Sequence, residues 1–86
     1  MWIMYVIQNT VSKERYFGTT QNLKERLQAH NNSGKKFTTR NNGKWILVYA
    51  EAYRSKEDAL LRERRLKVHG RGKLELIKRI QKSLLD

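Results

Sequence analysis

Tyr5, Tyr16, Arg26, His30 and Glu63 are the side chains of this sequence that could do chemistry from positions where packing does not ask for them. On a helix turning about 100° per residue, Leu23 and Leu27 point to the core about 40° apart, with His30 about 20° to one side of Leu23 and Arg26 about 60° to that same side. Two potential cations at that i, i+4 spacing repel unless an anion comes between them. Glu63 repeats the pattern with opposite sign: it lies about 40° from Ala59 on the apolar side of a later helical segment, and every other residue from Arg62 to Val68 is basic or apolar. A half-sheltered carboxylate is costly unless it is paired or holds a metal. Magnesium needs only one or two protein carboxylates, because water and phosphate oxygens complete its octahedron. Taken singly, each residue also has an ordinary explanation: a snorkelling arginine, a structural histidine, a glutamate paired with a neighbouring arginine, and two tyrosines packed in strands. Taken together they are the parts needed to cut a phosphodiester.

The elements that must position them follow from periodicity and caps. Residues 2–8 are β-branched and aromatic and predict a strand; Arg15-Tyr16-Phe17-Gly18 predicts a second, joined to the first by polar turn residues, so that Tyr5 and Tyr16 sit on paired strands at the sheet centre. Asn22 with Glu25 three residues on forms a capping-box arrangement for a helix to about Asn31. The stretch from Asn31 to Lys44 is rich in asparagine, glycine and basic residues and reads as loop, with Lys35, Lys36 and Arg40 offering phosphate contacts and Phe37 a stacking surface. Trp45–Tyr53 is the strongest strand. Ser55 caps a second helix to about Val68, His69-Gly70-Arg71-Gly72 breaks it, and Lys73 to Leu84 forms a closing helix. The order β-β-α-β-α-α predicts a mixed α+β domain over residues 1–86, with helices against a three-stranded, largely antiparallel sheet.

Composition narrows the partner. Nineteen Lys and Arg against eight Asp and Glu give a net charge of +11, which normally answers a polyanion. The basic residues are spread over loops and several segments rather than along one amphipathic helix, so nucleic acid is preferred to a membrane surface. There is no cysteine, which excludes disulfides and thiolate zinc sites. The apolar start from Met1 to Ile7 has neither a basic leader nor a cleavage site and is too short to span a bilayer. A soluble cytoplasmic protein is expected.

The sequence resembles the GIY-YIG nuclease superfamily, and within it the small stand-alone bacterial members related to the UvrC amino-terminal nuclease domain. The family's first triplet corresponds to Ile3-Met4-Tyr5 and its second to Tyr16-Phe17-Gly18, each keeping only part of the consensus. The stretch from Gly18 to Asn31, the run Trp45-Ile46-Leu47-Val48-Tyr49 and the segment from Ser55 to Glu63 match small members in residue type and spacing. The resemblance covers essentially the whole chain. It implies that Tyr5 orients or deprotonates the attacking water with Tyr16 beside it, that Arg26 stabilises charge on the phosphate, that His30 assists proton transfer, and that Glu63 holds a single Mg²⁺ or Mn²⁺. A free phenol has a pKa of about 10, so a tyrosine base needs cationic neighbours. An asparagine that some relatives carry in the closing helix is missing, since none occurs after Asn42. The resemblance implies an endonuclease acting on duplex or branched DNA in repair or recombination, with any recruiting protein unspecified. Two alternatives stay open: a nucleic-acid-binding module that keeps the fold but cuts poorly or not at all, and a basic protein assembling on structured RNA.

Overall fold

The computed structural model describes residues 1–35, 43–68 and 70–85, with the backbone alone for 33–35. Strands β1 (Trp2–Asn9) and β2 (Arg15–Thr20) form the expected hairpin, followed by α1 (Leu23–Lys35), β3 (Trp45–Tyr53), α2 (Lys56–Val68) and α3 (Gly70–Arg79). The sheet order is β2-β1-β3 with both pairings antiparallel. Tyr5 therefore lies on the central strand, but Tyr16 lies on an edge strand rather than at the sheet centre.

Strand alternation divides the sheet into two faces. One presents Ile3, Tyr5, Ile7, Tyr16, Gly18 and Thr20, and α1 covers it. The other presents Met4, Val6, Phe17 and Thr19, and receives α2 and α3. The main apolar cluster is on this second face: Met4, Val6 and Phe17 pack with Leu66, Leu76 and Ile80, flanked by Val48, Tyr49, Tyr53 and Leu84.

A register shift opposite Val6 and Ile7 pairs Tyr49 with Val6 but Leu47 with Ile7, leaving Val48 as an extra residue on β3. Such a bulge exchanges the faces for everything beyond it. Trp45 and Leu47 thereby join the Tyr5 face, although the unbroken alternation from Tyr53, Glu51 and Tyr49 would have put them on the other.

The predicted caps are present. The Asn22 side-chain oxygen accepts the Glu25 backbone N–H at 3.0 Å and its amide donates to the Glu25 carboxylate; the Ser55 hydroxyl accepts the Asp58 N–H at 3.4 Å. Three helix ends differ from expectation. α1 does not stop near Asn31 but continues to Lys35, because the Asn31 side chain is taken up by β3: it accepts from Trp45 N–H at 2.7 Å and donates to Trp45 O at 3.1 Å. An asparagine satisfied by another strand has no reason to cap its own helix. α2 ends at Val68 as expected, but α3 takes up Gly70, Arg71 and Gly72 and so begins at Gly70 rather than Lys73; no described glycine adopts positive φ, and the first turn of a helix has no intrahelical partners for its N–H groups to lose. α3 ends at Arg79, where the chain turns so that Leu84 reaches the core and Leu85 N–H binds the Gln8 side chain at 2.8 Å. No described helix is long and apolar enough to cross a membrane.

Candidate active site

The site is assembled around Gly18. Tyr5 faces Gly18 across the β1–β2 ladder, and its ring lies over that residue so closely that a Cβ there would meet the Tyr5 hydroxyl oxygen at 2.5 Å. Only a glycine leaves the phenol room to run toward the β2 edge. Tyr16, one position along the same face, is tilted against Tyr5 with ring centroids 6.4 Å apart. Tyr5 is 1% exposed, whereas Tyr16 is 43% exposed.

From α1, His30 closes over both phenols. Its Nε2 is hydrogen-bonded to the Tyr5 hydroxyl at 3.0 Å, and its ring meets that of Tyr16 edge-on at 4.6 Å. Two features place it there: Asn31 ties this turn of α1 to the start of β3, and the bulge turns Trp45 toward His30, ring to ring at 6.4 Å. Arg26 lies on the exposed side of the same helix and lines an open depression of about 300 Å³ with Thr20, Asn22, Glu25 and Ala29. No ion pair engages Arg26 among the described residues.

Glu63 comes from the other side of the sheet. Its carboxylate accepts the Thr19 hydroxyl at 2.6 Å and faces the Lys67 ammonium at 2.9 Å. The paired cation is thus a lysine one turn on and not a neighbouring arginine. Lys67 in turn lies over the Tyr16 ring, 5.6 Å from its centroid, which brings Glu63 around the β2 edge to the two tyrosines.

Electrostatics converge on Tyr5. Burial is the main influence and pushes the phenol up to about 12; the Tyr16 phenol adds to this, Arg26 opposes it, and the Glu63 carboxylate raises it further. Arg26 is thus present as a cationic neighbour, but its pull is weaker than the effect of burial, so the phenol stays neutral at ordinary pH. Burial, with Arg26 beside it, holds the His30 imidazole below its usual 6.5, so His30 is neutral near pH 7.

Among the described residues no three His, Asp or Glu side chains gather into a chelating group; the carboxylate that reaches the two tyrosines is Glu63. Glu63 suits a divalent ion chemically: it is an oxygen donor, its side chain is 19% exposed, and its cationic partner is a flexible lysine that can be displaced. A hard ion that keeps most of its own water fits such a donor, whereas zinc or calcium would need more protein ligands.

The structure therefore brings Tyr5, Tyr16, His30 and Glu63 together at one sheet edge, with Arg26 on the α1 flank. The expected phosphate contacts Lys36 and Arg40 and the stacking residue Phe37 lie outside the described residues, as does the side chain of Lys35. Sequence reasoning passed over Thr19, Asn31 and Lys67. Lys67 stood four residues after Glu63, the standard ion-pair spacing, and Thr19 next to Gly18; nothing local identified Thr19 and Glu63 as partners.

A family profile described as the GIY-YIG catalytic domain matches residues 1–75. The chain is 45% identical over 64 residues to a UPF0213 protein of Clostridium perfringens, covering 72% of this chain and 68% of that one. It is 36% identical over 63 residues to an uncharacterized protein of Acanthamoeba polyphaga mimivirus, covering 69% of this chain. That match spans only 38% of the viral protein's length. No solved structure matches significantly. The chain belongs to the GIY-YIG catalytic domain family, a family of endonucleases.

Proposed function

We propose that this chain is a divalent-metal-dependent endonuclease that hydrolyses phosphodiester bonds in duplex or branched DNA. The observation that carries this is the Tyr5–His30 hydrogen bond, 3.0 Å long, placed where both Arg26 and Glu63 act on the phenol. Arg26 binds the scissile phosphate, and that anion screens it from His30, removing the repulsion that disfavours an imidazolium. The Tyr5 hydroxyl donates to His30 Nε2, which leaves the phenol oxygen free to orient a water. As the water attacks phosphorus in line, its proton passes to the phenol oxygen while the phenol's own proton passes to Nε2. His30 ends protonated, the phosphorus–oxygen bond to the leaving group breaks, the departing oxyanion takes a proton from solvent to which His30 later returns its own, and Tyr5 is never an exposed phenolate. A neutral imidazole is a better final acceptor near pH 7 than a phenol whose pKa is about 12. Tyr16, the solvent-exposed phenol, contacts the substrate. A magnesium or manganese ion at Glu63 would supply Lewis-acid neutralisation of the charge that develops on the phosphate. A place in DNA repair or recombination and a cytoplasmic location accord with this activity. A non-catalytic DNA-binding module is the second reading, favoured by the Lys67 ammonium that already sits against Glu63.

Single-turnover cleavage of labelled single-stranded, duplex, flap and four-way-junction DNAs with Mg²⁺ tests the proposal. The rate should rise with pH through a midpoint below 6.5 and then level off, since His30 must be neutral to accept the proton. Tyr5→Phe and His30→Gln should each slow cleavage by about 10²–10⁴-fold. A rate that climbs without a plateau toward pH 10 would make Tyr5 phenolate the base and remove His30 from the relay. Undiminished cutting in excess EDTA would end the metal-dependent mechanism, and absence of cutting with DNA binding retained would favour the binding module.

A further inference from the structure

The nuclease assignment leaves the path of the substrate open. On the core-facing side of β2, Thr19, Phe17 and Arg15 alternate along one row, about 7 Å apart at the rise of an extended strand. That repeat is comparable to the separation of successive phosphates along one nucleic-acid strand. Each level carries a charge-bearing group. At Thr19 is Glu63 with Lys67. At Phe17 is Lys73 of α3, whose ammonium lies 5.5 Å from the ring centroid. At the third level is Arg15 itself, exposed. The cations of the middle and first levels rest on aromatic rings, Phe17 and Tyr16, which limits the side-chain freedom lost on binding an anion.

From this ladder we infer that one DNA strand runs along the outer edge of β2, from the Glu63 level toward Arg15, with its phosphates meeting Lys67, Lys73 and Arg15 in turn. The inference rests on the nuclease reading and gives it a direction, along β2 toward the turn that joins it to β1. A divalent ion held by Glu63 would free Lys67 for a phosphate, which would make the first rung metal-dependent and leave the other two independent of metal. Such contacts fix position without reading sequence.

The test is fluorescence anisotropy of the full chain on a labelled DNA duplex, in EDTA so that no cutting occurs, across a range of salt. Lys73→Gln and Arg15→Gln should each weaken binding and lower the slope of log K against log salt by about 0.9, and the double variant by about twice that. Lys78→Gln, on the outward side of α3, should leave the slope unchanged. All three positions are exposed, and circular dichroism melts will show that the variants fold. Slopes for Lys73→Gln and Arg15→Gln that match wild type would overturn the β2 track while leaving the nuclease reading intact. Failure of the wild-type protein to bind DNA at all would overturn both.

Discussion

Two carboxylates stand where α2 meets one face of the sheet, Glu51 on the sheet and Glu63 on the helix, and their surroundings are opposite. Glu51 on β3 and Thr19 on β2 flank Met4 in one row across the three strands. Consecutive residues of α2 engage the two ends of that row, Arg62 reaching Glu51 and Glu63 reaching Thr19. Glu51 is saturated. It accepts both Arg62 Nε and Nη2, the Tyr49 hydroxyl at 2.6 Å and the Tyr53 hydroxyl. Burial pushes its carboxyl up, but the Arg62 guanidinium and the two phenols together outweigh burial and hold it below 4.5. Glu63 has one hydroxyl and one lysine that can swing away. A carboxylate with every lone pair committed can only hold the fold together, whereas one with capacity in reserve can take a ligand. On this comparison Glu51 fixes how α2 sits on the sheet, and Glu63 uses the orientation so obtained.

Exchanging the two glutamates for their amides should separate the roles. The largest effect expected is for Glu63→Gln, which should reduce single-turnover cleavage roughly a thousandfold or more, the scale on which a transition-state charge stabiliser is lost. Its melting temperature and DNA affinity should stay near wild type; a large melting loss with activity kept in the folded fraction would make Glu63 structural too. Glu51→Gln should cost about 1–3 kcal/mol of unfolding free energy in urea titrations, since it leaves the Arg62 guanidinium without its counter-charge. Activity per folded molecule should remain within a few-fold of wild type, and a specific rate defect with unchanged stability would reverse the comparison.

The acid limb of stability gives a finer measure. Because the folded-state pKa of Glu51 is lowered, its stabilisation is fully present above its ordinary value of 4.5 and is lost as pH falls through the lower native value. The stability gap between wild type and Glu51→Gln should therefore be constant above about pH 5 and shrink in stronger acid. A gap that instead widens on acidification would show that the carboxylate is not held in its ionised form. The smallest effect expected is for Thr19→Val, which deletes the single hydroxyl donated to Glu63. It should weaken Mn²⁺ binding about tenfold, the low end for loss of a partner that orients a metal ligand, and Thr19→Ser should restore it. Equal Mn²⁺ affinity in wild type, Val and Ser forms would show that Thr19 does not aim the carboxylate.

Much of this could be read from residue types. The hairpin, the capped helices and the strand Trp45–Tyr53 are local features, and local chemistry announces them. Arg26, His30 and Glu63 drew notice because the helical period set each beside apolar positions, although Arg26 is exposed; the two tyrosines stood out through the family triplets that contain them. What escaped was whatever depends on distant partners. The end of α1 is decided by a strand fourteen residues on, the Glu63 orientation by a hydroxyl forty-four positions earlier, and the placement of Trp45 by a bulge with no glycine or proline to mark it. Two of the three departures from the triplets also become intelligible. Met4 and Phe17 both enter the cluster under α2 and α3, where an apolar side chain of suitable volume is sufficient. Tyr5, Tyr16 and Gly18, which keep the consensus, lie on the opposite face, as does Ile3, the third departure.

The contact between Tyr5 and Gly18 has a consequence for how the family can vary. The two positions share one volume, so neither can change alone. Alanine at 18 drives its methyl carbon into the phenol, while a small residue at 5 leaves a gap that a side chain at 18 could fill. Among relatives these two columns should therefore covary: glycine where the tyrosine is kept, and side chains at 18 only in lineages that have given up the tyrosine and with it the hydroxyl that meets His30.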